Sequence, residues 1–159
     1  MAVALLFVAA SCSPEDTVAE PDTNFSVDLN LANKTDWQMA NAILVLVNDH
    51  RSKLNLEPIK LDRKLATAYA VMHTEYMIDQ ARLSHDGYGQ RSQALLQEGA
   101  IAVGENVARG YFSAEDVVNA WLNSTTHRNV IEGDYTHSGF GVMKDFRGTY
   151  YFTQLFYTE

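Results

Sequence analysis

The sequence predicts an α+β domain in which helices cover a central antiparallel sheet. Apolar residues recur at three- and four-residue spacing through Trp37–Leu54 and again through Leu65–Met77, the pattern of a helix with one buried face. Ser138–Met143 and Thr149–Phe156 are instead rich in β-branched and aromatic residues, and Asp145-Phe-Arg-Gly148 between them fits a hairpin turn. Helices first and a terminal hairpin later is the order of an α+β fold. The chain has 159 residues, 47% of them hydrophobic and 20% charged, which suits one domain with its own core and a tail. There is no repeat and no second domain.

The N-terminal part is of a different kind. Ala2-Val-Ala-Leu-Leu-Phe-Val-Ala-Ala-Ser11 is too short to span a bilayer and has the length of a signal-peptide apolar region ending in small residues. Cys12, the one cysteine, follows it directly, so no disulfide can form within the chain. Small residues before a cysteine resemble a bacterial lipobox, in which the cysteine carries lipid. No Lys or Arg precedes the run, and Ala9 stands where leucine is usual. Residues 1–12 are therefore expected to be a lipoprotein-type signal segment, 13–35 an acidic linker with Pro14 and Pro21, and 36–159 the domain. Half of the net charge of −8 lies between Cys12 and Thr35, where Glu15, Asp16, Glu20, Asp22 and Asp28 stand against Lys34. No basic stripe offers itself to a nucleic acid.

Within the domain, Thr35 or Asp36 can cap the first helix, whose buried face reads Trp37, Ala40, Ile43, Leu44 and Val47. Pro58 follows its end. The second helix has Leu65, Ala68, Tyr69, Met72, Tyr76 and Met77 as its apolar face, and small Ala66, Ala68 and Ala70 for close packing. His73 sits among them and reads as a core or helix-surface histidine. Ala81–Gln90 is expected to be a loop, and Arg91–Glu98 a short helix stopped by Gly99. Ile101–Val107 is expected to be extended, broken by a turn at Gly104-Glu-Asn106. Ser113 caps the next helix, with Glu115 and Asp116 near its positive end and Trp121 on its buried side. Asn123-Ser-Thr-Thr is expected to end that helix, with His127 and Arg128 following it. His137 is expected in an exposed loop.

The chemistry gathers at His85, Glu105 and His127, roughly twenty residues apart and each beside small or turn-forming residues. Two imidazoles and a carboxylate can hold a divalent cation such as zinc, can move a proton, or can form a hydrogen-bonded knot between loops. Asn106 and Gln154 are the further candidates for lining a ligand cleft. Arg91 and Arg128 can pin loops through carbonyls or Glu105.

Several motifs in a fixed order carry a resemblance. Val47-Asn-Asp-His-Arg51, Leu56-x-Pro-x-x-Leu61, Leu83-Ser-His85, Gly104-Glu-Asn106, Trp121-x-x-Ser-x-x-His-Arg128, Gly139-x-Gly-Val142 and Tyr151-Phe-Thr-Gln154 together resemble the CAP superfamily and its bacterial SCP-like branch. The superfamily includes cysteine-rich secretory proteins, antigen 5 and plant pathogenesis-related proteins. The resemblance covers about residues 37–157. It implies an α-β-α sandwich with a cleft where these loops meet, and in eukaryotic members that cleft holds two histidines and two acids, sometimes with a divalent metal. His85 matches the first histidine and Glu105 the Gly-Glu-Asn glutamate. Ser124 stands where the second acid is expected and Tyr151 where the second histidine is expected. His127 matches the histidine of the bacterial His-Arg motif, but Val130 replaces an asparagine there.

Three uses of the cleft follow. It can be the recognition site of an extracytoplasmic, lipid-anchored binding module for a small-molecule, lipid, glycan or protein ligand, periplasmic, at the cell surface or secreted. It can be a metal-dependent, peptidase-like hydrolase with His85 and His127 as ligands, a scheme one group short without the second acid. Or it can be a structural polar network with no ligand. No His-Glu-x-x-His helix is present, and adjacent Ser84 and His85 make a poor nucleophile–base pair.

Overall fold

The computed structural model describes residues 25–159, in which a four-stranded sheet lies between two helical layers. A 3-10 helix at Leu29–Lys34 leads into α1 (Trp37–Lys53), β1 (Lys60–Leu61), α2 (Leu65–Asp79), α3 (Tyr88–Gln97) and β2 (Ala102–Arg109). Then come α4 (Ala114–Asn123), α5 (Thr125–Ile131), β3 (His137–Lys144) and β4 (Tyr150–Thr158). The strand order is β1-β3-β4-β2; β1 runs parallel to β3 and the other pairs are antiparallel. No helix among the described residues is long and apolar enough to cross a membrane. The segment 1–12, its Cys12 and residues 13–24 lie outside the described residues.

Alternation along β4 divides the core. Tyr150, Phe152 and Phe156 join Ile43, Val47, Val117 and Trp121 in the layer made by α1, α4 and α5. Leu155 and Tyr157 join Ala66, Tyr69, Ala70 and Leu95 in the layer made by α2 and α3. Trp121 is buried and its indole N–H donates to the Val107 carbonyl at 3.1 Å, so a large apolar group enters the core with its polar atom satisfied. Side chains of this size contribute roughly 1.5–3 kcal/mol each on full burial.

Gly139 and Gly141 set the distance between α2 and the sheet. A Cβ on Gly139 would collide with the backbone of Ala66 and Thr67, and one on Gly141 with the backbone of Ala70. The alanines on one element and the glycines on the other are the two halves of one close approach. Thr74 exploits it, its hydroxyl reaching the Gly141 carbonyl at 3.0 Å and the Thr153 hydroxyl at 2.8 Å.

Backbone groups at the sheet's margins are met by side chains. Asn48 on α1 bonds both the N–H (2.8 Å) and the carbonyl (3.0 Å) of Ile59, just before β1. Beyond the two-residue β1, β3 donates from Phe140 and Val142 to the hydroxyls of Thr67 and Thr35. On β2, Tyr88 and Trp121 donate to the carbonyls of Val103 and Val107.

Several elements differ from the sequence-based expectation. The C-terminal part of the segment read as a linker is built into the domain: Asp28 caps the 3-10 helix, Ala32 and Thr35 are buried, and Phe25 stacks on Tyr69. Composition hid this because the segment is polar and its few apolar residues lack a period. Gly104-Glu-Asn106 forms no turn; β2 runs straight through it, paired with Asn106↔Gln154 and its neighbours. Gly104 is required by packing, since a Cβ there would sit 2.5 Å from the Tyr135 hydroxyl. His127 and Arg128 lie within a helix, α5, capped at Ser124, and α3 begins at Tyr88 rather than Arg91. His137 opens β3 and stacks on Tyr157, and Tyr76 faces outward on α2 at 37% exposure.

Candidate functional site

The site is organised by β2, the strand at one edge of the sheet, where successive side chains point to opposite faces. Glu105 points to the α3 side. Its carboxylate is buried and held on both oxygens by Arg91, Nε donating to Oε2 at 2.8 Å and Nη2 to Oε1 at 2.9 Å. This forked arrangement is the strong, directional form of a carboxylate–guanidinium pair. Arg91 also donates from Nη1 to the Asp86 carbonyl at 2.7 Å, fixing the loop that carries His85.

His85 completes the group. Its Nδ1 lies 2.9 Å from Glu105 Oε1, and its side chain is 51% exposed. With Nδ1 donating to the carboxylate, Nε2 is the nitrogen left for a ligand. Asn106 points to the other face. Its amide donates to the His127 carbonyl at 3.1 Å, tying α5 to the strand. The His127 imidazole is half-buried. Burial first, and the His85 charge second, hold its pKa below the ordinary histidine value of 6.5. The two imidazoles thus come from opposite layers, His85 bonded to Glu105 and His127 carried on α5, whose backbone Asn106 holds.

The five candidate residues have unequal places. His85 and Glu105 are bonded directly, and His127 joins them electrostatically. Asn106 is fully buried and acts on the α5 backbone. Gln154 does not open on a cleft: it is fully buried on β4, its amide donating to Ser138 Oγ at 3.1 Å. The physical reason is its register opposite Phe140 and Asn106, which turns it into the sheet's interior. Asn106 Oδ1, Gln154 Oε1 and the Tyr151 hydroxyl are buried without a partner among the described residues. Ser124 stands at the junction of α4 and α5, and Tyr151 is buried beside Met77 and Val107 under the Arg109 guanidinium. Arg128 pins no loop: from α5 it donates to the Leu122 carbonyl at 3.0 Å and so ties α5 to the last turn of α4.

A zinc ion fits this arrangement poorly. Both Glu105 oxygens are already engaged, and among the described residues no three His, Cys, Asp or Glu side chains are placed to hold a metal. What the group can do is present one fixed imidazole to solvent.

Beside it, between α2 and α3, lies a cavity of about 320 Å3 walled by Phe25, Met72, His73, Tyr76, Asp86, Gly87, Gln90 and Arg91. Sequence reading missed it. It took Phe25 as linker, Tyr76 as part of the apolar face of its helix and Asp86 as part of a loop. The usable signals were the His73–Tyr76 spacing of three, which stacks the two rings at 5.9 Å, and the Arg82–Asp86 spacing of four, which forms an ion pair. His73 is buried, its Nε2 2.7 Å from the Ser84 carbonyl, and burial, reinforced by the Arg91 charge, lowers its pKa.

Known proteins share this framework. A family model described as the cysteine-rich secretory protein family, CAP, matches residues 44–156. Two Bacillus subtilis (strain 168) proteins are similar: uncharacterized protein YkwD, 32% identical over 64% of this chain, and uncharacterized membrane protein YlbC, 36% identical over 72%. The chain spans 41% and 33% of their respective lengths. Among solved structures, an extracellular protein containing a SCP domain from Bacillus anthracis str. Ames has a TM-score of 0.66 and 28% identity, over 79% of this chain and 41% of that one. An outer surface protein from Borrelia burgdorferi, at 23% identity, shares the fold with a TM-score of 0.68 over 77% of this chain and 93% of its own. The motif order, the α-β-α architecture and a family match over most of the chain agree: this protein belongs to the cysteine-rich secretory protein, or CAP, family.

Proposed function

We propose that the protein is an extracytoplasmic binding module, anchored to a membrane through lipid on Cys12, whose cleft at His85, Glu105 and His127 recognises a ligand without chemical conversion. The observation that carries this reading is the state of Glu105. A carboxylate buried, paired on both oxygens with Arg91 and bonded to His85 is a poor general base, but it fixes a half-exposed imidazole. The location draws support from the relatives, one described as an extracellular protein and another as a membrane protein. The ligand is a small molecule, lipid, glycan or protein, and no nucleic acid is expected at a chain of charge −8.

The test is an amide-resonance titration of the protein with separated lipid, glycan and peptide fractions of a bacterial envelope. Shifts clustering at His85, Glu105 and His127 with at least one fraction, and lost in His85→Ala, are expected; no shift at these three residues with any fraction overturns the reading. Labelled palmitate should be incorporated into the full-length protein and lost in Cys12→Ser, and unchanged labelling in the variant would remove the anchor.

A further inference from the structure

We propose that the cavity between α2 and α3 is a binding site for a neutral, hydroxyl-bearing ring, a pyranose unit of a glycan, lying beside the His85 edge and joined to it through Arg91. At about 320 Å3 it stands at the small end of ligand cavities, which run from about 300 to 1,000 Å3.

Its walls define the class of ligand. Tyr76 is held upright by two contacts, stacking on His73 at 5.9 Å and donating its hydroxyl to Asp86 Oδ2 at 2.7 Å. Phe25 is held by stacking on Tyr69 at 5.6 Å, and Met72 lines the cavity with it. Two aromatic rings held in place thus line the cavity, and aromatic rings attract the weakly positive C–H groups that a sugar ring carries on one face. The opposite requirement, for hydroxyl partners, falls to Asp86 and Gln90. Tyr76 and Arg82 both donate to Asp86 Oδ2, and a carboxylate has acceptor capacity beyond two bonds. The Gln90 side chain is exposed and makes no hydrogen bond among the described residues, so its amide can both donate and accept.

Charge selects against the alternatives. Asp86 is paired with Arg82, and Arg91 with Glu105. His73 is kept neutral by burial. The cavity wall therefore carries no net charge to draw in an anion or a cation. A purely aliphatic chain would leave the exposed Gln90 amide and the remaining acceptor sites of Asp86 without hydrogen-bond partners on the ligand. A ring with one apolar face and a hydroxylated rim satisfies both sets of walls.

The experiment uses the full-length protein and three probes, maltotriose, cellotriose and chitotriose, followed by amide resonances. Saturable shifts at Tyr76, Gly87 and Gln90 are expected with at least one probe, with millimolar affinity or better. Tyr76→Ala should weaken binding by about tenfold, the loss expected for truncating an aromatic contact, whereas Tyr76→Phe should keep most of it. Gln90→Ala, at an exposed position, supplies a second loss that cannot arise from unfolding. Phe146→Ala, at the exposed turn between β3 and β4, should leave sugar affinity within about twofold, because it shares no partner with the cavity. No saturable shift with any probe overturns the proposal, as does binding indifferent to Tyr76→Ala, or saturation by decanoate in place of sugar. A loss in His85→Ala with none in Tyr76→Ala would overturn it while supporting the His85 cleft.

Discussion

Glu105 and Asn106 are neighbours in β2 and hold opposite helical layers of the sandwich. Glu105 binds Arg91 of α3 on one face, and Asn106 binds the His127 carbonyl of α5 on the other. One dipeptide thus holds the His85 imidazole on one face and the His127 backbone on the other.

Glu105→Gln should destabilise the domain by about 3–5 kcal/mol, the cost of leaving a buried cation without its partner. Chemical denaturation of wild type and variant measures it. The double variant Arg91→Leu with Glu105→Leu should recover much of the loss, because it removes both charges together.

Asn106→Ala should act on α5 more than on the whole. It removes the donor to the His127 carbonyl and should cost about 1–3 kcal/mol. Amide exchange should quicken through residues 125–131 before it does in α2. Uniform acceleration across the domain would contradict this division.

Gly141→Ala should be among the worst single-methyl changes available here. The new Cβ would fall on the backbone of Ala70, which cannot move aside without lifting α2 from β3. A loss of about 3 kcal/mol or more is expected in thermal or chemical unfolding, at the upper end for overpacking. Gly110→Ala, where a Cβ meets nothing within 4 Å, controls for space but carries a φ of 85° and should cost less.

Acid should weaken the fold through His73. Its folded pKa lies below the ordinary 6.5 because of burial and Arg91, with His85 adding and Glu105 and the Ser84 hydrogen bond opposing. Below pH 6.5 the unfolded chain takes up a proton that the folded chain refuses, so stability falls as pH falls, by up to about 1.4 kcal/mol per pH unit for one group. His73→Gln should flatten the stability profile between pH 6.5 and the folded value. A profile unchanged in the variant would assign the acid sensitivity elsewhere.

Zinc should leave the melting temperature unchanged. A ligand that binds only the folded state raises stability by mass action, and among the described residues no three His, Cys, Asp or Glu side chains are placed to hold the ion. A rise that vanishes in His85→Ala would reinstate a cation at this edge.

Long elements were legible because their own residues carry their period. The α1 face from Trp37 to Val47 and the hairpin strands around Asp145–Gly148 need no distant partner to be recognised. β1 and α5 were not legible, since two and seven residues hold too little pattern and depend on remote donors. Arg51 shows the dependence: buried, it bonds the carbonyls of Glu57, Ile131 and Gly133 at 2.7–2.8 Å, fastening the end of α5 from another helix. At the site, motif order brought out His85 and Glu105. It could not tell that Gln154 turns inward, because strand register decides which alternate residues are buried. The neighbouring cavity was hidden for another reason: its walls come from residues 25, 72, 76, 86 and 90, each ordinary in its own segment.

The side-chain caps along β1, β3 and β2 make the sheet a poor template for another strand. Asn48, Thr67, Thr35, Tyr88 and Trp121 occupy backbone groups that a foreign strand would need. Such a unit can be carried beside other segments in one chain without fusing its sheet to theirs. The Bacillus subtilis relatives, of which it spans 41% and 33%, have the room in which that independence counts.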